Sequence, residues 1–487
     1  MLYILILNFL IASTGYAGSS GPVILNSTSI VGYEYTGISL SSGVPLTDSL
    51  LQHQASILLN DLTDNGYPFA VVTLVPSKVR NCDGYVSADV TFQVERGPFI
   101  RLRDIDFTGN RMTRKRLLML ESRLMRGSMF RQSDIERAID RLERLSYIRY
   151  VGPIKLYNAS PGVATVSIPV VERKVNSLSG ILSVDPSNNK PTGELQVEFG
   201  NLLGTGRRLQ FGWFGLNPQR HGIQLGYREP WLFGKPWHAS FDLERWEQDS
   251  LSIITRYRVG LDWEPFDRMI GSGIVTDETI NAVQEDDSGS QAVWMELCVT
   301  VDRFNHRWNP TDGYQLSFRS ARGLRWWDDR MSQNRSVNNL NRETMTVQAV
   351  HRMIRFDANK PQGILFWKLS VEDLSGSGVV REDLIRIGGI GSIRGYAEEN
   401  YLVRGIVCGT MELRWRPDVD GYFGLSADFG HIHRYDPQLY VPKRNLASVG
   451  ITAMITTTAG RLGLNLALAN GEPITKARLH IKLTGWF

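Results

Sequence analysis

The chain has 487 residues, a formal net charge of +4 and charges of both signs along its length. A balance this mild, with no polybasic run, gives no argument for a nucleic-acid partner. Aromatic residues at 10% and 46 glycines fit a β-rich protein, and the three cysteines, Cys82, Cys298 and Cys408, are too scattered for a metal site or a disulfide framework.

The apolar run Leu2–Ala12, followed by small residues, predicts a secretory signal over residues 1–17, cleaved after Ala17. No later stretch approaches the ~20 apolar residues of a membrane helix, so passage through a membrane would need strands. Two small α/β modules follow, over 22–96 and 97–173. In the first, Thr47 caps a helix reaching Asn65, with Leu51, Ala55, Leu58 and Leu62 on one face. Strands at Ala70–Val75 and Tyr85–Val94 are separated by the turn formers Asn81, Asp83 and Gly84. The second module opens with a strand, Ile100–Phe107, and a short helix, Thr113–Ser122. Ser133 and Glu136 then predict a capping box for a helix that buries Ile135, Ile139, Leu142 and Leu145. Strands Ile148–Leu156 and Val163–Val171 close it. Gly43 and Gly127 each precede the longer helix, which makes the modules a weak repeat.

From 174 to 487 helical periodicity disappears. About sixteen alternating segments, many of roughly nine to twelve residues, fit a tilted transmembrane strand each. The last, Lys476–Phe487, puts Ala477, Leu479, Ile481, Leu483 and Phe487 on one face and Lys476, Arg478, His480, Lys482 and Thr484 on the other. Trp213, Tyr227, Trp231, Trp237, Trp415 and Trp486 fall near strand ends, as an interfacial girdle requires. Glu296, Glu372, Glu412, Arg414 and Arg478 would share an interior, which calls for a hydrated lumen rather than a dry core. The expected fold is therefore a membrane all-β barrel of about 16 antiparallel strands after two small α/β domains. Nothing points to an enzyme: there is no nucleophile elbow and no phosphate loop, and the H-x-H of His431 and His433 reads as chance rather than a metal site. One stretch is unusual. Arg386–Tyr396 reads RIGGIGSIRGY, with Gly388, Gly389, Gly391 and Gly395 crowding Arg394, a charged finger on a compact loop suited to carboxylates.

These features together resemble the BamA/TamA outer-membrane assembly superfamily, in which POTRA domains precede a sixteen-stranded barrel. The resemblance rests on N-L-L-G-T-G at Asn201–Gly206, Y-R-E-P-W-L-F-G at Tyr227–Gly234, Asp302-Arg303 with Pro310 and Gly313, and above all Ile393-Arg394-Gly395-Tyr396. It implies that this last motif lies in the long loop after the eleventh strand and folds into the lumen, where Arg394 meets Glu412 and Asp428 and Gly430 completes the D-x-G pattern. Ser426 departs from the family, which usually carries an aromatic there. The resemblance further implies POTRA domains in the periplasm, a barrel in the bacterial outer membrane, and a seam between first and last strands involving Gly180, Leu483, Gly485 and Phe487. Expected partners are unfolded outer-membrane or secreted proteins, the lipid bilayer and periplasmic accessory proteins; no cofactor or nucleotide is implied. The two-partner secretion transporters, which export one large protein, share the plan and give a second reading. A passive porin gives a third, and leaves the N-terminal modules without a task.

Overall fold

The computed structural model of the chain describes residues 23–486 apart from 36–41, 83–84, 158–161, 185–190, 218–219, 249–251, 283–288, 306–308, 328–336, 355–361, 418–420, 437–442 and 458–459. The expected signal, residues 1–17, lies outside the described residues. Two compact units meet at Arg173/Lys174.

In the first module the Thr47 hydroxyl accepts from the Leu50 N–H at 3.3 Å and starts the helix Asp48–Asp64. Its apolar stripe, Leu51, Ala55, Leu58 and Leu62, is buried against a three-stranded sheet. In that sheet Tyr85–Glu95 is central, parallel to Val23–Val31 and antiparallel to Val71–Cys82. Val23–Val31 escaped sequence prediction because its middle, Asn26 to Ser29, is wholly polar. Asn81, expected in a turn, lies in a strand instead, and Asp83 and Gly84 are outside the described residues.

In the second module Val163–Glu172 is central, parallel to Arg101–Thr108 and antiparallel to Ile148–Val151 and Lys155–Tyr157. The expected single strand Ile148–Leu156 is thus two, because Pro153 has no N–H to give a ladder. The capping box at Ser133 and Glu136 does not form. Helix Gln132–Glu143 starts from Arg131 without a side-chain cap, and the Ser133 N–H is satisfied by Asp64 of the first module at 2.8 Å. Glu136 accepts from Gln132 instead. The turn before helix Lys115–Ser122 is held by Glu172, which accepts from the N–H groups of Arg111, Met112 and Thr113 at 2.9, 2.9 and 2.6 Å. Burial alone would raise this carboxyl's pKa; those donors hold it below the ordinary value.

The second unit is a closed antiparallel barrel of sixteen strands. The first strand, Ser177–Val184, pairs with the second, Pro191–Leu202, and with the last, Arg478–Trp486. Strands on the far wall are longer, up to Val337–Ile354. The last strand starts at Arg478, two residues later than expected, because Ile474–Lys476 forms a 3-10 turn. Outward positions are apolar and exposed, among them Phe211, Leu297, Phe318, Leu425, Ile451 and Leu483, with Trp213, Tyr227, Trp237 and Trp415 also on the outside. Many inward positions are polar or charged, and an inward apolar patch includes Ile406, Ile432 and Leu446. Such an outer surface is costly in water and suited to lipid, and strand pairing all the way round satisfies the backbone. Among the described residues no helix is long and apolar enough to cross a membrane.

Candidate functional site: the lumenal loop

Eleven barrel strands precede the segment between Gln362–Ser375 and Gly405–Arg416, and five follow it. This segment turns back into the lumen. A short hairpin, Ile385–Ile387 paired with Tyr401–Val403, stiffens its base. One side of it packs Leu384, Ile385, Ile387, Ile393, Tyr396 and Val403 against Ile406, Ile432, Leu446 and Ala469 of the barrel wall.

Arg394 sits at the centre of the C-terminal half of this loop and is 7% exposed. Its Nε and Nη2 donate to the two oxygens of Asp428, both at 2.7 Å, a planar bidentate match. Nη1 donates to Glu412 Oε1 at 2.6 Å and to Asn465 Oδ1 at 3.4 Å, and the Arg394 backbone N–H reaches Asp428 Oδ2 at 3.0 Å. The guanidinium is held firmly charged: burial works against it, but hydrogen bonds to Asp428 and the charges of Glu412 and Asp428 outweigh that.

The neighbours of Arg394 explain the rest of the motif. Gly395 has φ +84, and a Cβ there would lie 2.7 Å from the backbone N of Ala469. At Gly430 a Cβ would meet Ile393 Cδ1 at 2.3 Å, so this glycine makes room for a fully buried aliphatic side chain of the loop. The Tyr396 hydroxyl donates to Ala447 O and accepts from Ala447 N–H, both at 3.2 Å. Arg478 Nη1, on the last strand, donates to Gly395 O at 2.6 Å.

Ser426 is buried beside this cluster. Aromatic support comes from elsewhere. Arg414 donates from Nε to Glu412 Oε2 at 2.8 Å and stacks between Phe366 and Tyr422, at 4.2 and 4.6 Å from the ring centroids. Arg414 lies in the lumen as expected and gains this role there, and Asn465, Phe366 and Tyr422 join the site with no motif to mark them. Alternation gave their facing, but no local signal tells which inward residues on different strands meet.

The rest of the loop has its own contacts. Asp383 is 3% exposed and receives both Arg325 nitrogens, Nη2 at 3.0 Å to Oδ1 and Nη1 to Oδ2. Arg325 also donates to Glu278 and to Gly378 O, and Glu278 accepts from Arg256 Nε at 2.5 Å. Arg386 donates to Gln248 at 2.6 Å, while Glu399, in the left-handed region at φ 52, binds Arg220, which stacks on Trp246 at 4.2 Å. Glu398 is half-buried, and this desolvation, with the charges of Glu399 and Glu194, pushes its carboxyl up to about 7 against the pull of the Ile390 N–H.

A cavity of about 370 Å³ lies in the lumen, lined by charges of both signs, including Arg256, Arg319, Arg342, Glu296, Glu372 and Asp383. At the seam, Gly180 faces Leu483, and Gly485 faces Leu178 on one side and Gly460 on the other. The seam is closed, with eight register pairs among the described residues, as many as each ladder beside it and fewer than the thirteen between Ser290–Asp302 and Gly313–Trp327. Phe487 lies outside the described residues.

The chain thus joins a POTRA domain to a closed sixteen-stranded barrel. Residues 100–173 match the POTRA family, described as surface antigen variable number repeat. In fold, the chain is similar to BamA from Haemophilus ducreyi lacking POTRA domains 1-3, with a TM-score of 0.55 and 16% identity over 92% of this chain and 95% of that one. It is equally similar to CdiB from Acinetobacter baumannii, with a TM-score of 0.59 and 13% identity over 96% of this chain and 91% of that one. For CdiB from Escherichia coli the TM-score is 0.58 and the identity 13%, over 99% of this chain and 94% of that one. No curated protein sequence matches the chain.

Proposed function

We propose that this protein is an assembly factor of the bacterial outer membrane, with its N-terminal modules in the periplasm. There the modules receive unfolded polypeptide through main-chain pairing at open sheet edges, which demands no particular sequence. The barrel then offers the strand edge at its seam as a template for a client strand. The short seam carries this reading. Closure rests on the eight-residue strand Ser177–Val184, and Gly485, opposite Leu178, adds no side-chain packing to it. The loop cluster around Arg394 acts as a latch that fixes the shape of the wall from Glu412 to Arg478 while the seam works. It is structural, not catalytic.

A second reading, export of one large protein through the lumen, is supported by the likeness to the two CdiB structures, of the two-partner secretion class. One experiment separates the two. Gly180→Cys with Leu483→Cys, in a background with the native cysteines replaced by serine, places a disulfide across directly paired positions. Oxidation in proteoliposomes should stop insertion of an added unfolded barrel protein, and reduction should restore it. Undiminished insertion by the locked barrel would refute the seam mechanism. Export through the lumen is expected to survive the lock.

A further inference from the structure

Two of the lumenal loop's contacts with the wall, besides Glu399 with Arg220, are buried charge clusters of opposite polarity. At Arg394 the loop supplies the cation and the wall the carboxylates, Glu412 and Asp428. At Asp383 the loop supplies the carboxylate and the wall the cation, Arg325, which is fully buried. The clusters share no residue. The first draws on the strands carrying Glu412, Asp428, Asn465 and Arg478; the second draws on those carrying Glu278, Arg325 and Arg342. Between Asp383 and Arg394 the chain runs through the hairpin strand Ile385–Ile387 and the glycines of the motif.

We propose that Asp383 and Arg325 form a second clasp, independent of Arg394, which holds the first half of the loop against the opposite wall beside the lumenal cavity. The geometry is that of a positioned site and not of a chance pair. The Asp383 carboxylate meets the guanidinium fork with both oxygens and also accepts from Val380 N–H at 2.9 Å, which closes the 3-10 turn Arg381–Asp383. Arg325 reaches Gly378 O at 3.1 Å, and Arg342 reaches the Asp383 carbonyl, so main chain on both sides of the turn is bound as well. Asp383 also borders the cavity, so its release changes the cavity wall. The clasp is separable from the barrel's own cohesion. Without the Asp383 charge, Arg325 keeps Glu278 as its partner, and the wall stays paired while the loop loses its hold. The inference does not depend on whether the client is inserted at the seam or exported.

The test uses buried reporters next to each clasp, Leu384→Cys beside Asp383 and Ile393→Cys beside Arg394, in the full-length protein with Cys82, Cys298 and Cys408 replaced by serine. Modification by a water-soluble maleimide is timed in detergent micelles, after heat-dependent gel migration has shown the barrel folded. Asp383→Asn should speed modification of Leu384→Cys tenfold or more and change Ile393→Cys less than twofold; Arg394→Ala should do the reverse. Arg325→Lys keeps the charge between Glu278 and Asp383 but loses the fork, and should give a smaller rise at Leu384→Cys alone. It also serves as the measurement if Asp383→Asn does not fold. Reporters that rise together in either variant would overturn independence. An unchanged rate at Leu384→Cys in folded Asp383→Asn or Arg325→Lys protein would overturn the clasp itself.

Discussion

Replacing Arg394 with alanine tests the latch most directly. The substitution removes four side-chain hydrogen bonds and leaves Asp428, 4% exposed, with neither of its guanidinium donors. Breaking a buried pair by deleting one partner costs about 3–5 kcal/mol, mostly from the stranded charge. Glu412 is less exposed to this penalty because Arg414 still donates to its other oxygen at 2.8 Å. The cost therefore falls near the lower limit, about 3 kcal/mol, or roughly a hundredfold in the docking equilibrium. Native-state hydrogen exchange on the full protein reads this equilibrium at the amides of residues 388–396. Their protection should fall about a hundredfold, while that of the far-wall strands Gly313–Trp327 and Val337–Ile354 stays at its parental level. Parental protection in the loop would refute the latch, and loss of protection in every strand would show that Arg394 supports the barrel as a whole and not the loop's docking.

Three further outcomes are expected. Gly430→Ala should loosen the loop by about 1–3 kcal/mol through overpacking against Ile393 Cδ1, and Ile393→Val, which deletes that atom, should restore most of the loss in loop exchange. Tyr396→Phe should cost about 1 kcal/mol and raise exchange at the Ala447 amide, which loses its acceptor. Glu398 gives a pH dependence. With its docked pKa about 7 against an ordinary 4.5, docking is fully favourable below pH 4.5 and weakens as pH rises to 7, because the undocked loop gives up its proton first. Loop protection factors should be higher at pH 5 than at pH 8, and Glu398→Gln should abolish the difference.

Much of this molecule is legible in its sequence because the barrel writes period-two alternation into every strand. The helix Asp48–Asp64 is likewise visible from its cap and stripe. What escaped has identifiable physical causes. The strand Val23–Val31 has four polar residues in a row, with a register shift between Leu25 and Ser27, so it shows no period-two alternation. The Ser133–Glu136 box lost to a tertiary acceptor, Asp64, 69 residues away. Within the site, Arg394 stood out because glycines surround it, whereas Asp383, in the sequence Arg381-Glu382-Asp383, reads as an ordinary solvated turn. Its importance lies in Arg325 and Glu278, 58 and 47 residues from their contacts, and one-dimensional spacing does not carry such pairings.

The seat of the loop has a consequence for the order in which the chain folds. The stretch Arg394–Tyr396 is held by Glu412, Asp428, Ala447, Asn465 and Arg478, one residue from each of the five strands that follow the loop. None of these contacts exists until strands later in the chain have paired, and the entropy of closing so long a segment must be met before any of them forms. Tyr396 sharpens the dependence. Its hydroxyl bonds the N–H and carbonyl of Ala447, next to the Ser448–Ala469 pair, and the same carbonyl takes the Asn470 N–H at 2.8 Å, so it fits only where that ladder has formed in the correct register. Docking of the loop is therefore a late event in the barrel's own maturation. A barrel whose final strands are missing or slipped by one residue would keep an undocked loop, and the two forms would differ in protease sensitivity at residues 388–396.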